Sequence, residues 1–333
     1  MKEITTEQVY HAATQFAMIG EIVSSEPYGQ GHINTTDRVV TRDADGVEHE
    51  YILQAINSDV FPCPPEVMEN IRAVTDFLNQ KASTRREVLQ VVQTKDGKDY
   101  YKDDADMYFR TYEFVQDAIC LQRPESTEDF YQSAYAFGKF QRDLSDFAAD
   151  RLHESIVDFH NTPKRFRDFT AAVEADAVGR VATATEEIAF VKAREDFCHV
   201  LQDAHAAGKL PLRVTHNDTK INNVMLDAAT RTALCVIDLD TVMPGFSVTD
   251  FGDAIRFGAN TAAEDEQDLS KVSLDMQLFE TYLRGYLDGC GGKLGADEIR
   301  LLPEGAKMMT LECGMRFLAD YLQGDTYFKT AYP

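Results

Sequence analysis

Strand-forming patterns crowd into the first 116 residues of this chain and then nearly stop. That division restricts the folds open to the chain more than any other feature. Thr5 or Thr6 can cap a first helix running to about Met18, with Val9, Ala13, Phe16 and Ala17 on one face. Residues 21–27, 35–41 and 48–56 read as strands, with Asp45-Gly46 as a tight turn before the third. Pro64-Pro65 opens a helix over about 66–80. A hairpin over 88–101 turns at Asp96-Gly97, and a last strand covers 107–115. From residue 127 onward the spacing predicts helices over 127–147, 163–173, 185–206, 274–287 and 305–323. Only 224–226 and 234–239 interrupt them as short apolar strands, and 241–249 reads as a loop around Pro244-Gly245. Strands followed by helices make an α+β arrangement, here an N-terminal lobe over 1–116 and a C-terminal lobe over 117–333 with a cleft between them.

A length of 333 residues is enough for two substantial cores. The net charge of -23 argues against a nucleic-acid partner, since phosphate backbones are bound by basic patches. Six scattered cysteines with no C-x-x-C pair read as reduced thiols rather than a disulfide framework. No apolar run approaches membrane-spanning length, and the start Met1-Lys2-Glu3-Ile4-Thr5 lacks a signal-peptide core. The expectation is a cytoplasmic monomer with no membrane partner.

The helical part carries the chemistry. His216-Asn217-Asp218-Thr219-Lys220 leads to Asn223, and fifteen residues later the apolar run Leu234-Cys235-Val236-Ile237 ends in Asp238. An aspartate, an asparagine five positions on and an aspartate closing a buried strand form one set, with the spacing of a phosphoryl-transfer catalytic loop. In that reading Asp218 accepts or orients the proton of the attacking hydroxyl. Asn223 and Asp238 hold Mg²⁺, a hard cation that takes oxygen ligands. Lys220 reaches a γ-phosphate oxygen, and His216 orders the loop. Asp240 is either a second metal ligand or a cap. Asp250-Phe251-Gly252 also spells a metal tripeptide, but no apolar strand leads into it, so Asp250 is expected to brace the catalytic loop.

The nucleotide side is thinner. Gly29-Gln30-Gly31 between the first two strands could let backbone approach the phosphates of ATP. Kinases usually place a lysine on the third strand, and Gln54 stands there instead. The stretch Tyr112-Glu113-Phe114-Val115 is the natural hinge, where adenine would pair with backbone groups such as those of Glu113 and Val115.

Four segments together resemble the N-acetylhexosamine 1-kinases, within the aminoglycoside phosphotransferase-like small-molecule kinases. They are Tyr28-Gly29 with Gly31-His32-Ile33-Asn34-Thr35-Thr36, the 215–223 segment, Ile237-Asp238-Leu239-Asp240, and Asp250-Phe251-Gly252-Asp253 with Ile255-Arg256-Phe257-Gly258. The resemblance also takes in Glu312 to Tyr321 and runs to the last residues. It implies a bilobal protein-kinase-like fold and ATP- and Mg²⁺-dependent phosphorylation of the anomeric hydroxyl of N-acetylglucosamine or N-acetylgalactosamine. It further implies that His32, Arg316 and Tyr327 contact the sugar alongside Asp218. Gln54 is also what the subgroup carries. Without the resemblance, Glu312, Arg316 and Asp320 read as an i, i+4 stripe of surface ion pairs. Rival readings are a kinase for an aminoglycoside, choline or another amino alcohol, a kinase for a different hexose or hydroxyl, a protein kinase, and a catalytically dead nucleotide-binding regulator.

Overall fold

The computed structural model of the protein describes residues 4–29, 33–262 and 266–328. Internal contacts divide the chain into two compact units. One comprises residues 1–122, 146–156 and 222–243, the other residues 123–145, 157–221 and 244–333. The architecture is α+β, with an antiparallel sheet on the N-terminal side and a helical C-terminal part.

The first unit opens with α1 (Thr6–Ala13), where Thr5 and Gln8 form a reciprocal capping box. The helix ends five residues short of the expected Met18. The following backbone leaves it to bond with 93–95: Ala17 N–H donates to Gln93 and Lys95 N–H to Gln15. The main sheet is built from β1 (Glu21–Pro27), β2 (Thr35–Arg42), β3 (Glu48–Ile56), β4 (Val91–Val92), β5 (Tyr101–Lys102) and β6 (Tyr108–Glu113). Its order is β1-β2-β3-β6-β4, and β5 also pairs with β6. Between β3 and β4 in sequence comes α2 (Pro64–Asn79). Alternate residues of β3, Tyr51, Leu53 and Ala55, join Val9, Ala12, Ala13 and Phe16 in the core, so one sheet face is covered by the first helix. The expected hairpin over 88–101 is corrected. The turn at Asp96-Gly97 forms, with Gly97 at φ +80° and Thr94 N–H donating to the Lys98 carbonyl, but the strands on either side of it do not pair with each other. β4 lies opposite Thr111 and Tyr112, and β5 opposite Tyr108 and Phe109, because β6 offers a longer apolar edge than either two-residue arm.

A strand missed in sequence, β7 (Ala118–Cys120), belongs to a second, three-stranded sheet. Beyond β8 (Arg213–Thr215), which lies in the other unit, β9 (Val224–Asp227) and β10 (Ala233–Val236) form a hairpin that completes it. Arg86 fastens this sheet, donating to Asp227 at 2.9 Å and to the carbonyls of Gln116 and Asp117.

The second unit contains α3 (Thr127–Asp143), α4 (Thr162–Ala175), α5 (Thr185–Lys192), α6 (Glu195–Cys198), α7 (Val200–Ala206), α8 (Ser247–Gly258), α9 (Met276–Cys290) and α10 (Ala296–Gln323). The single helix expected over 185–206 is three pieces. At the first break the Arg194 guanidinium turns back to donate to the Phe190 carbonyl. The chain then restarts so that Cys198 and Leu201 are buried. The loop expected over 241–249 gives way to α8 from Ser247. Residues 247–255 are all buried, polar Ser247, Thr249, Asp250 and Asp253 among them, which gives the segment the composition of a loop. The last helix starts nine residues earlier than expected, with Pro303 inside it. Phe166, Phe169, Ile188, Val191, Leu311 and Met315 make its core with α4 and α5. Gly252 on α8 and Gly305 on α10 face each other, and a side chain at either would run into the backbone of the opposite helix. Among the described residues no helix is long and apolar enough to cross a membrane.

Candidate active site

Within the second unit, the segment after β8 is held rigidly from below by α8. The backbone N–H groups of His216 and Asn217 donate to the two oxygens of Asp250, at 2.9 and 2.8 Å. The Gln141 side chain donates to the same carboxylate at 3.2 Å. Burial pushes the Asp250 carboxyl up, opposed by these N–H groups. Thr219 N–H donates to Asp253 at 3.2 Å, and Arg256 pairs with Asp253 at 2.9 Å. Burial raises the Asp253 carboxyl, but Arg256, Lys220 and His160 outweigh it and hold it below the usual range. Asn217 adopts the left-handed conformation at φ +63°, which asparagine tolerates better than most residues. That bend precedes Asp218, whose carboxylate is 2.8 Å from the Lys220 amine, both side chains being about 30% exposed. Burial lowers the Lys220 ammonium, and contact with Asp218 more than reverses that, so the lysine stays charged. His216 is wholly buried, edge-on to Phe137 and Phe140.

Within the first unit, the β9–β10 hairpin brings Asn223 and Asp238 to one end. Val224 pairs with Val236, and Ile237 N–H donates to the Asn223 carbonyl at 2.9 Å. Asp238 is left-handed, at φ +59° and ψ +60°. One carboxylate and one amide oxygen suit a hard divalent cation, and the buried Oδ1 of Asn222, next to Asn223 in sequence, has no hydrogen-bond partner among the described residues. Asp240 is engaged elsewhere: Asn34 donates to one oxygen at 2.6 Å and Arg110 pairs with the other. Gln54 on β3 lies opposite Arg110 on β6, accepts from its Nε at 3.0 Å and donates to Thr36 at 3.1 Å. Gly29 sits at φ +81° in the turn after β1. Gly31 and His32 lie outside the described residues. At the end of β6, Glu113 N–H donates to Gln90 and Phe114 N–H to Glu50, and Val115 is buried.

On α10 of the second unit, the expected ion-pair stripe does not form. Glu312 pairs with His160 at 2.7 Å and accepts from Thr162. Asp320 accepts from the backbone N–H groups of Thr326, Tyr327 and Phe328, at 2.8–2.9 Å. Arg316 is left to aromatic rings: its guanidinium lies 5.6 Å from the ring centre of Phe159, 5.7 Å from Tyr327 and 5.6 Å from Phe328. Tyr327 is 63% exposed. The same unit has a groove of about 1980 Å³, lined by Arg256, Phe257, Glu304, Lys307, Phe317 and Leu318 among others. Phe257 also lies under Lys220, with the amine 5.8 Å from its ring centre.

Sequence reasoning missed Arg110 and His160, and named Asn34 and Asp253 within motifs without giving either a role. For Arg110 a signal existed, since it is a cation inside an otherwise apolar strand. His160 left none, because its partners come from distant parts of the chain.

The phosphotransferase enzyme family matches residues 24–295. Among solved structures, the chain is similar to a microcompartment-associated aminopropanol kinase, with a TM-score of 0.64 at 19% identity, covering 94% of this chain and 93% of that one. An amicoumacin kinase in complex with AMP-PNP, Ca²⁺ and its antibiotic gives a TM-score of 0.62 at 14% identity, covering 98% and 89%. An ethanolamine kinase from Plasmodium vivax gives 0.56 at 15%, covering 91% and 78%. These likenesses establish the fold as that of small-molecule kinases of the protein-kinase-like type.

Proposed function

The chain belongs to the phosphotransferase enzyme family and is a small-molecule phosphotransferase, and we propose that it transfers the γ-phosphoryl group of ATP to the anomeric hydroxyl of an N-acetylhexosamine. The bond between the γ-phosphorus and the bridging oxygen breaks, ADP leaves, and a new bond joins phosphorus to O1 of the sugar. The hydroxyl proton goes to the Asp218 carboxylate. An anomeric hydroxyl is more acidic than an ordinary alcohol, so the base has less to do. Lys220 supplies a point charge to a γ-phosphate oxygen once it leaves Asp218. Mg²⁺ bound by Asn223 and Asp238 would neutralise charge on the phosphates. Gly29 and Gly31 let backbone approach the phosphates, and Gln54 supports that side. With the N–H groups of Glu113 and Phe114 already spent, adenine pairing falls mainly to Val115. His32, Arg316 and Tyr327 hold the sugar.

The observation that carries the sugar reading is Arg316 set among three aromatic rings. One of those rings, Phe159, lies tilted against His160 with ring centres 4.4 Å apart, and His160 touches the Asn217 carbonyl beside Asp218. A flat guanidinium with aromatic walls suits a polar ring with apolar C–H faces, and it repels an amine. A kinase for an amine-bearing acceptor is the second reading. The three named structural neighbours act on such molecules or antibiotics by their names.

The test is a coupled ATPase screen with N-acetylglucosamine, N-acetylgalactosamine, galactose, choline and kanamycin, with and without Mg²⁺. Phosphorus NMR of the product follows. Turnover with an N-acetylhexosamine and an acid-labile anomeric phosphate is expected. Turnover with choline or kanamycin alone would move the protein to the second reading, and a 6-phosphate would overturn the C1 assignment.

A further inference from the structure

We propose that His160 and Glu312 form a positioning dyad that ties the catalytic loop to the acceptor-binding helix, with His160 working as a doubly protonated imidazolium. The inference rests on the phosphotransfer reading of Asp218 and Arg316. Its geometry is independent of which acceptor is used.

Both ring nitrogens of His160 face acceptors. Nδ1 lies 2.7 Å from Glu312 Oε1, and Nε2 lies 3.3 Å from the Asn217 carbonyl oxygen. A carboxylate and a carbonyl can only accept, and a neutral imidazole carries a single N–H. One of the two links therefore fails unless the ring holds both protons. Glu312 is itself fixed: it is fully buried, and its second oxygen accepts from Thr162. What the dyad joins gives it a function. Asn217 is the left-handed residue just before Asp218, and its carbonyl direction sets where the next side chain points. Glu312 stands one helical turn before Arg316, on the same face of α10. A single buried contact thus sets the Asp218 bend relative to the Arg316 cage, both within the second unit.

The surroundings favour the cation. Glu312 from α10 and Asp250 and Asp253 from α8 act on the ring directly, while Arg316 acts on Glu312 and Lys220, paired with Asp218, acts on Asp253. Burial pushes the His160 imidazolium down, but the charge and hydrogen bond of Glu312, then Asp253 and the Asn217 carbonyl, raise it above the ordinary histidine value. A histidine raised on folding contributes fully below its ordinary value of about 6.5 and loses that contribution as pH rises through the folded value. The link to Asn217 should therefore fail at alkaline pH. The reaction rate should then fall while ATP binding persists.

Two measurements test this. The first needs no substrate: nitrogen NMR of the ¹⁵N-histidine-labelled protein, with His160 assigned by its absence in His160→Gln. Both nitrogens protonated at pH 7 is the expected result, and a neutral tautomer at that pH overturns the proposal. The second is kcat against pH for whichever acceptor wild-type protein turns over. His160→Gln should lower kcat on the order of 10²-fold, as a misaligned reacting group does, leave the KM for ATP within about twofold of wild type, and lack the alkaline fall of the wild type. Wild-type kcat in that variant, or the same alkaline fall, overturns the proposal. Absence of turnover with every acceptor would sink the functional reading instead, leaving the NMR result to judge the dyad.

Discussion

Arg110 and Asp240 form an ion pair with both side chains enclosed, at 1% and 3% exposure. It sits where the chain departs from the common kinase pattern. Gln54 occupies the third-strand position usually held by lysine. The cation of the sheet is instead Arg110, directly across the ladder on β6 and bonded to the Gln54 amide oxygen. Its carboxylate partner lies two residues past Asp238 and is also held by Asn34. The pair thus ties β2, β3 and β6 to the turn that carries Asp238, all within the first unit. Burial lowers the Arg110 guanidinium, while Asp240 and other neighbours raise it above its ordinary value, so it stays charged at any pH of interest.

Removing one member leaves the other charge buried without its partner. Arg110→Met is expected to destabilise by about 3–5 kcal/mol. The double variant Arg110→Met/Asp240→Leu should recover part of that, since both charges are gone. Urea unfolding followed by circular dichroism of the two variants measures this. A double variant no more stable than Arg110→Met alone would mean that the attraction within the pair exceeds what its desolvation costs.

Asp218→Asn tests the proton acceptor. The amide fits the same space and can still meet Lys220, but it cannot take a proton. Turnover should fall roughly 10²–10⁴-fold, with nucleotide affinity little changed. Near-normal turnover, with nucleotide binding checked by calorimetry, would remove Asp218 from that role.

How much of this was open to reading from the sequence depended on where the partners lie. β3 was legible to its end residues, because alternation over 48–56 reports one buried face. So was the Asp218-to-Asn223 spacing, a pattern local in sequence. The helix α8 was not: its buried Ser247, Thr249, Asp250 and Asp253 look like loop composition, yet Asp250 and Asp253 are inside as acceptors for the catalytic segment, and Ser247 and Thr249 donate to Glu298 and the Phe246 carbonyl. Gly252 reads as part of a metal tripeptide, whereas in the structure it lets α8 and α10 touch backbone to backbone. Glu312, Arg316 and Asp320 look like surface ion pairs from their spacing. Helical spacing gives the shared face but not what packs against it, and here His160, three aromatic rings and the 326–328 backbone do.

Arg316→Ala separates acceptor binding from nucleotide binding. The guanidinium lies among three aromatic rings, so its loss should leave the KM for ATP in place while the acceptor KM rises about tenfold or more. Asp320→Asn should shift the same constant in the same direction by less, because the side chain anchors the backbone of Tyr327 and Phe328 rather than the acceptor. Initial rates with each substrate varied in turn decide it. Equal change in both constants would mean that Arg316 supports the fold rather than the acceptor.

Glu298 gives the protein an acid-sensitive joint. Burial pushes its carboxyl up, yet two hydrogen bonds from Arg213 at 2.6 and 2.7 Å, the Gly295 N–H at 2.8 Å and the Ser247 hydroxyl outweigh that and hold it below its ordinary value of 4.5. A carboxyl lowered on folding stabilises fully above its unfolded value and loses that contribution as pH falls through the folded one. The melting temperature of the wild type should therefore drop between about pH 5 and pH 3. Glu298→Gln keeps the shape but gives up the charge. It should start less stable at pH 7, by about 3–5 kcal/mol as for a broken buried pair, and show a shallower decline over the same range. Parallel melting curves from pH 3 to 7 compare the two proteins, and equal slopes in acid would show that Glu298 is not the group being protonated.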